Sequence, residues 1–379
     1  MLIFIDTNIY FDHWFLKSPQ FRLLASYCNR TSATLLVSQV VVEEVEAKYA
    51  AKWNEFEQSL KDLPRRFEDV GADKTHLPPV PPKPDYAFAN VLRHNFNNLE
   101  ILPYEGVPHK ALVEWAIHAR RPFNDKEKGY RDALMWHSLL GYLTEANRVS
   151  PVAFINANSR DFHDPTGGSP RLHPDLLADL AEKKIGNQFL LYPSLRAFNE
   201  ANANGSIAGF DAVEFSERYQ SEIEEAAEES VLAYLNGLRP PMLRSLLTDA
   251  GCPARVAQSV HDASWQIWEG VEDFSFLSFT SIDKNKLYIA FEFNIRILEL
   301  QIEMSPLDYL ANQADLESEF LNVEVSEQRA TMETYVRCDF KAGMIFNTTN
   351  EGIEEISIDT ADIRQKKMML PPLGRVYSD

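Results

Sequence analysis

Five short apolar runs recur through the first half of the chain: LIFI (2–5), TLLVS (34–38), LEILP (99–103), VAFIN (152–156) and FLLYP (189–193). The first, LIFI, is an unbroken apolar run, the pattern of a strand covered on both faces, and the others each look like a short buried strand. Helix-like patterns separate them, from Val40 to about Leu60, Lys110 to Arg120, Gly129 to Glu145 and Pro174 to Lys184. Strands alternating with helices in this way predict an α/β fold, a parallel sheet between helical layers joined by right-handed crossovers. The proline-dense LPPVPPKPD (77–85) reads as an extended insertion ahead of the third strand.

The small, polar NEANANGSIAG (199–209) marks a domain boundary. Beyond it, SERYQSEIEEAAEESVLAYLNGL reads as an acidic amphipathic helix ending at Gly237, and PPMLRSLLTDAG as a second helix. Phe274 to Ile282 and Lys286 to Glu303 then form two strand patterns around IDKNK. Alternation slips at Ile297 and Leu298, as a β-bulge would make it do. TMETYVRCDFKAGMIF and GIEEISID supply further strands, so the second half is expected to be an acidic α+β domain with an antiparallel sheet. The expected organisation is thus a first domain over 1–198, a second over 210–365 and a tail over 366–379. The phenylalanines of the strands, Phe274, Phe276, Phe279, Phe291 and Phe293, suit a core better than a base-stacking platform.

Charge divides the chain at the same place. Residues 1–200 carry 25 acidic against 23 basic side chains, a balance of −2, whereas residues 201–379 carry 31 against 14, or −17. A polyanion would be handled by the first half and repelled by the second, which suits a protein partner or self-association instead. Cys28, Cys252 and Cys338 are far apart, without a CxxC pair, and read as core thiols. No apolar run reaches the roughly 20 residues that cross a bilayer, and no secretory leader pattern is present, so no membrane partner and a cytoplasmic location are expected.

Asp6 directly follows the first apolar run, where open α/β sheets place their ligand crevices. A cap for the next helix is the plainer role for Asp6, Thr7 or Asn8. Comparable acids recur, however. Ser38 ends the second run as a plausible cap, with Glu43 and Glu44 in the following helix; Asp132 opens another helix on the face of Trp136, Leu139, Leu140 and Leu143; Asn156, Asn158 and Asp161 follow the fourth run. Carboxylates gathered at one sheet edge repel one another unless cations neutralise them. Oxygen ligands without His or Cys suit Mg²⁺ or Mn²⁺, and a pair of such ions activates water against a phosphodiester. Arg131 and Lys128, close in sequence to Asp132, are candidates for holding substrate phosphates, and Asn8 for touching substrate.

The segments FIDTNIYFD, VVVEEV, KGYRDALMWHSLL and VAFINANSRDFHD, in this order, resemble the PIN domain family of metal-dependent ribonucleases, over about residues 1–195. The resemblance implies a five-stranded parallel sheet in the order 3-2-1-4-5 with flanking helices, Mg²⁺ or Mn²⁺ as cofactor, and endonucleolytic hydrolysis of single-stranded or structured RNA leaving 5′-phosphate and 3′-hydroxyl ends. It implies Asp6, Glu44 and Asp132 as the first three acids, catalytic and metal-binding. At the fourth position many members have Thr-x-Asp, whereas this chain reads Asn156-Ala157-Asn158, with Asp161 three residues on. Asp161 is the expected fourth carboxylate, and Asn156 and Asn158 neutral substrate contacts. A DNase of the related flap-nuclease type, and a catalytically silent scaffold binding RNA or protein, are the alternatives.

Overall fold

The computed structural model describes residues 1–71, 73, 77, 79–123, 129–146, 150–157, 159–164, 170–203, 212–238, 240–249 and 253–365. The chain divides into two compact units, Met1–Ala203 and Asn204–Asp379. Cys252, residues 204–209 of the expected boundary and the 366–379 tail lie outside the described residues.

In the first unit the elements run β1 (Leu2–Ile5), α1 (Pro19–Thr31), β2 (Thr34–Ser38), α2 (Gln39–Asp69), α3 (Phe88–Asn95), β3 (Leu99–Leu102), α4 (His109–Ile117), α5 (Tyr130–Ala146), β4 (Val152–Ile155), α6 (Ser159–Phe162), α7 (Pro174–Glu182), β5 (Phe189–Tyr192) and α8 (Leu195–Asn202). The five strands form one parallel sheet in the order β3-β2-β1-β4-β5. Every residue of β1 and β4 is buried, which explains the unbroken apolar runs: helices cover both faces, so no position alternates toward water. Trp136, Leu139, Leu140 and Leu143 of α5 enter this core together with Phe4, Phe154 and Phe162.

Helices α3 and α6 have no counterpart in the expected organisation, and three others depart from it. α1 has no counterpart in the expected helices, although Ser18 and Pro19 supply a helix-start signal. α2 continues to Asp69 through Pro64 rather than ending near Leu60. α8 occupies the start of the expected linker, because Phe198 and Asn199 are buried and the Asn199 amide donates to the Gln20 carbonyl and side chain at 2.9 and 2.8 Å.

The second unit runs α9 (Ala212–Asn236), α10 (Pro240–Asp249), α11 (Ala254–Ser259), β6 (Asp262–Ser281), β7 (Lys286–Met304), α12 (Pro306–Glu319), β8 (Leu321–Val325), β9 (Ala330–Asn347) and β10 (Gly352–Gln365). Its sheet is antiparallel, in the order β10-β9-β7-β6 with β8 paired to β9. The expected slip is present as a register shift between Ile295 and Leu298 against β9. Phe215, Ile223, Ala227, Val231 and Leu235 line one face of α9 and enter the core with Phe291 and Phe293. Phe274, Phe276 and Phe279 pack against the same core. Among the described residues no helix is long and apolar enough to cross a membrane.

Candidate active site

Parallel pairing puts the carboxyl ends of all five strands on one edge of the first unit's sheet. The chain leaves β1 toward β2 and β3 on one side and returns through β4 and β5 on the other, so the edge above β1 and β4 is a topological switch point, where such sheets open a crevice. Asp6 is the first residue past β1, its amide still donating to the Ile155 carbonyl of β4 at 3.0 Å.

Asp6 is 5% exposed. Oδ1 accepts from the Thr7 amide at 2.7 Å, capping the short 3₁₀ turn Thr7–Ile9, and Oδ2 accepts from the Asn8 amide group at 2.7 Å. Capping and membership of an acidic site are therefore both true of one carboxylate. Burial, with the neighbouring charge of Asp132 next in weight and those of Glu44 and Asp161 adding less, pushes the Asp6 carboxyl up to about 7 against the pull of the Thr7 hydrogen bond. Asp132, in the first turn of α5, is pushed up to about 6 by burial and by Asp161 and Glu44, with Arg131 opposing. The four expected acids thus share one electrostatic neighbourhood.

Glu43 and Glu44 have different surroundings. Glu43 is exposed and accepts from Gln39 and from the Tyr104 hydroxyl. Glu44 is 14% exposed, acts on both Asp6 and Asp132, and pairs with Arg131. Asp161, on α6, is 15% exposed and pairs with Arg121 at 3.6 Å. Arg131, read as a phosphate holder, is therefore already paired with one of the acids.

Asn8 and Asn156 do structural work. Asn8 donates to Asp6 and, at 3.4 Å, to Asn156 Oδ1, while its own oxygen accepts from the Ala157 amide at 3.4 Å, tying the end of β1 to the end of β4. Asn156, expected at the substrate, is fully buried, because its backbone continues the sheet by donating to the Tyr192 carbonyl. Lys128 and Asn158 lie outside the described residues. Ser38 makes no capping bond; its hydroxyl instead meets that of Ser138 on α5 at 3.0 Å, both residues being buried. The pair ties the start of α2, which carries Glu44, to α5, which carries Asp132.

Asp179 on α7 escaped the sequence reading. It is buried, accepts from the Trp136 indole at 2.9 Å and pairs with Arg120, and burial pushes its carboxyl up to about 6. Its signal was an acid at the apolar spacing of Leu176 and Leu180. Arg120 and Arg121 are thus anchored to α7, Arg121 also donating its amide to Asp175 at 3.0 Å. The following turn lies against Gly129, where φ is +116° and a Cβ would come within 2.4 Å of the Pro122 carbonyl, so a residue with a side chain there would displace the start of α5.

Oxygen-only donors of this kind match a hard divalent ion, and two carboxyls pushed toward neutrality by burial and by the acidic charges around them are what such an ion relieves. Among the described residues no three carboxylate, thiolate or imidazole groups stand within common reach of a single ion. Electrostatic coupling reaches farther than ligation, and Glu44 and Asp161 are turned to arginines. The donors fit in chemical kind.

A family model described as PIN domain matches residues 3–162. No curated protein and no solved structure shows a significant match to the chain.

Proposed function

We propose, from the premise that residues 3–162 form a PIN domain, a nuclease-type fold, that this protein is a Mg²⁺- or Mn²⁺-dependent endonuclease of RNA. The observation that carries the reading is a pair of raised carboxyls at a sheet switch point, buried Asp6 and half-buried Asp132, with the charges of Glu44 and Asp161 acting on both. In this reading Asp6, Glu44, Asp132 and Asp161 hold the metal. When bound, a divalent ion supplies Lewis-acid polarisation of a phosphodiester and of its attacking water.

The chain's own residues prepare that chemistry. Asn8 and the Thr7 amide fix the Asp6 carboxylate so that it does not rotate away. Arg131, 64% exposed beside Glu44, meets a substrate phosphate once Glu44 turns to another cation. Arg121 does the same beside Asp161. The strongly acidic second half stays off the nucleic acid and serves a protein partner or self-association, and the protein works in the cytoplasm.

The test uses the full chain, end-labelled RNA and DNA oligonucleotides, and Mn²⁺. RNA is cut; EDTA abolishes cleavage; Asp132→Asn lowers the rate by more than about 100-fold, since even partners that merely orient metal ligands are worth roughly 10- to 100-fold. Cleavage confined to DNA would move the substrate to the flap-nuclease alternative. Equal rates for wild type and Asp132→Asn would assign the activity to a contaminant and leave a scaffold.

A further inference from the structure

A groove of about 720 Å³ opens beside Glu44, bounded by α2, the segment after β3 and the start of α5. Its size falls within the roughly 300–1,000 Å³ of sites that take small organic groups. The floor is apolar: Val40 and Leu134 belong to a small buried cluster with Leu112, Phe123 and Ala133. Two phenol rings border it, Tyr104 and Tyr130. Tyr104 is held in place by its hydroxyl, which donates to Glu43 at 2.9 Å. Tyr130, the first residue of α5, is 49% exposed.

The charges say what enters. Glu43 and Glu44 line the groove together with Lys48 and Arg131, so its walls carry no net charge and a phosphate backbone gains nothing by sinking into it. Arg131, already bonded to Glu44 and mostly exposed, stands where a backbone phosphate can pass. A flat, uncharged ring with polar edges suits the floor and the tyrosines, and every nucleobase offers such a face. Glu44 belongs both to this groove and to the acidic neighbourhood of Asp6 and Asp132, so the two are continuous.

We infer that this groove receives an unpaired nucleobase, stacked on Tyr104 and Tyr130, from the strand whose phosphodiester lies at the acids, and so selects single-stranded over duplex substrate. A base in a duplex is already stacked and cannot enter without being extruded. The inference rests on the nuclease reading for the identity of the strand, but the groove can be tested without cleavage.

Binding of a fluorescently labelled single-stranded RNA of roughly ten nucleotides to the full chain is measured by anisotropy in EDTA, alongside cleavage by wild type in Mn²⁺. Tyr130→Ala is expected to weaken binding about 5- to 50-fold, as loss of one stacking platform does. Tyr130→Phe regains most of that loss. Tyr104→Leu, which keeps apolar volume over the buried cluster, weakens binding similarly while the thermal melt stays as in wild type. An abasic position in the RNA costs wild type more than it costs Tyr130→Ala. Wild-type affinity in both tyrosine variants, or duplex bound as tightly as single strand, overturns the groove even if the protein cuts RNA. Tyrosine-dependent binding with no cleavage of RNA or DNA sustains the groove and instead removes the nuclease reading.

Discussion

The two units handle acidity in opposite ways. The N-terminal half is almost balanced in charge, yet the buried Asp6 and Asp179 and the half-buried Asp132 sit there as carboxyls pushed upward. The C-terminal half carries −17 but spreads its acids over the surface of a long sheet and pairs many of them: Arg296 with Glu269 and Glu272, Lys286 with Glu354, and Arg337 with Glu272 and Asp273. Net charge governs what a surface attracts; the placement of a few charges governs chemistry. A count of acids alone would have sent attention to the wrong half.

The sharpest break of that contrast is Asp6→Asn. The folded-state carboxyl is raised from 3.8 to about 7, so ionising it costs folding stability. That cost is absent below pH 4, grows as pH rises toward 7 and is constant above. In EDTA, Asp6→Asn should therefore melt like wild type near pH 4 and be more stable by about 2–4 kcal/mol at pH 8. Asn8 can turn its amide to suit the new side chain. Mn²⁺ should erase the advantage by stabilising wild type alone. A variant equally stabilised at pH 4 and pH 8 would mean that charge is not the cause.

In the second unit the opposite outcome is expected. Arg337 donates to Asn294 at 3.1 Å, to Glu272 at 3.0 Å and to Asp273 at 3.1 Å, and Asn294 is buried. Arg337→Leu removes the cation that its acids were built around and should destabilise this unit by about 1–3 kcal/mol, read as a lower urea midpoint with RNA cleavage retained. Stabilisation instead would show the two halves to be alike.

The smallest effect is expected at Arg255, paired with Asp315 on the surface with 64% of its side chain exposed. Arg255→Ala should shift stability by less than about 0.5 kcal/mol; a larger loss by thermal melt would mean that exposed pairs support the acidic half.

The parts of the fold read correctly were those with a single explanation. A short run dominated by apolar residues between helical patterns has few uses except a parallel strand, and all five were found where LIFI, TLLVS, LEIL, VAFI and FLLY stand. β6 was only half legible. Its first part, from Asp262, is interrupted by register shifts at Ile267/Glu269 and Glu272/Ser275, and Asp273 takes φ +50°, so the period-two pattern breaks before it can be recognised. At the candidate site, carboxylates following strand ends could be read from the sequence, because topology brings such positions together. The arginine partners could not: Arg121 meets Asp161 and Arg131 meets Glu44 only through tertiary packing. Tyr104 and Tyr130 were equally hidden, since exposure of a ring depends on what the fold leaves uncovered beside it.

The hydroxyl pair Ser38–Ser138 sits beneath the helices that bear Glu44 and Asp132. Because it is buried and the Ser138 hydroxyl also donates to the Met135 carbonyl at 2.8 Å, separating those helices would strand polar atoms in a dry interior. The two acids are therefore mounted on a frame that resists spreading, and whatever adaptation the site makes to a bound group must come from rotation of side chains rather than from the helices parting.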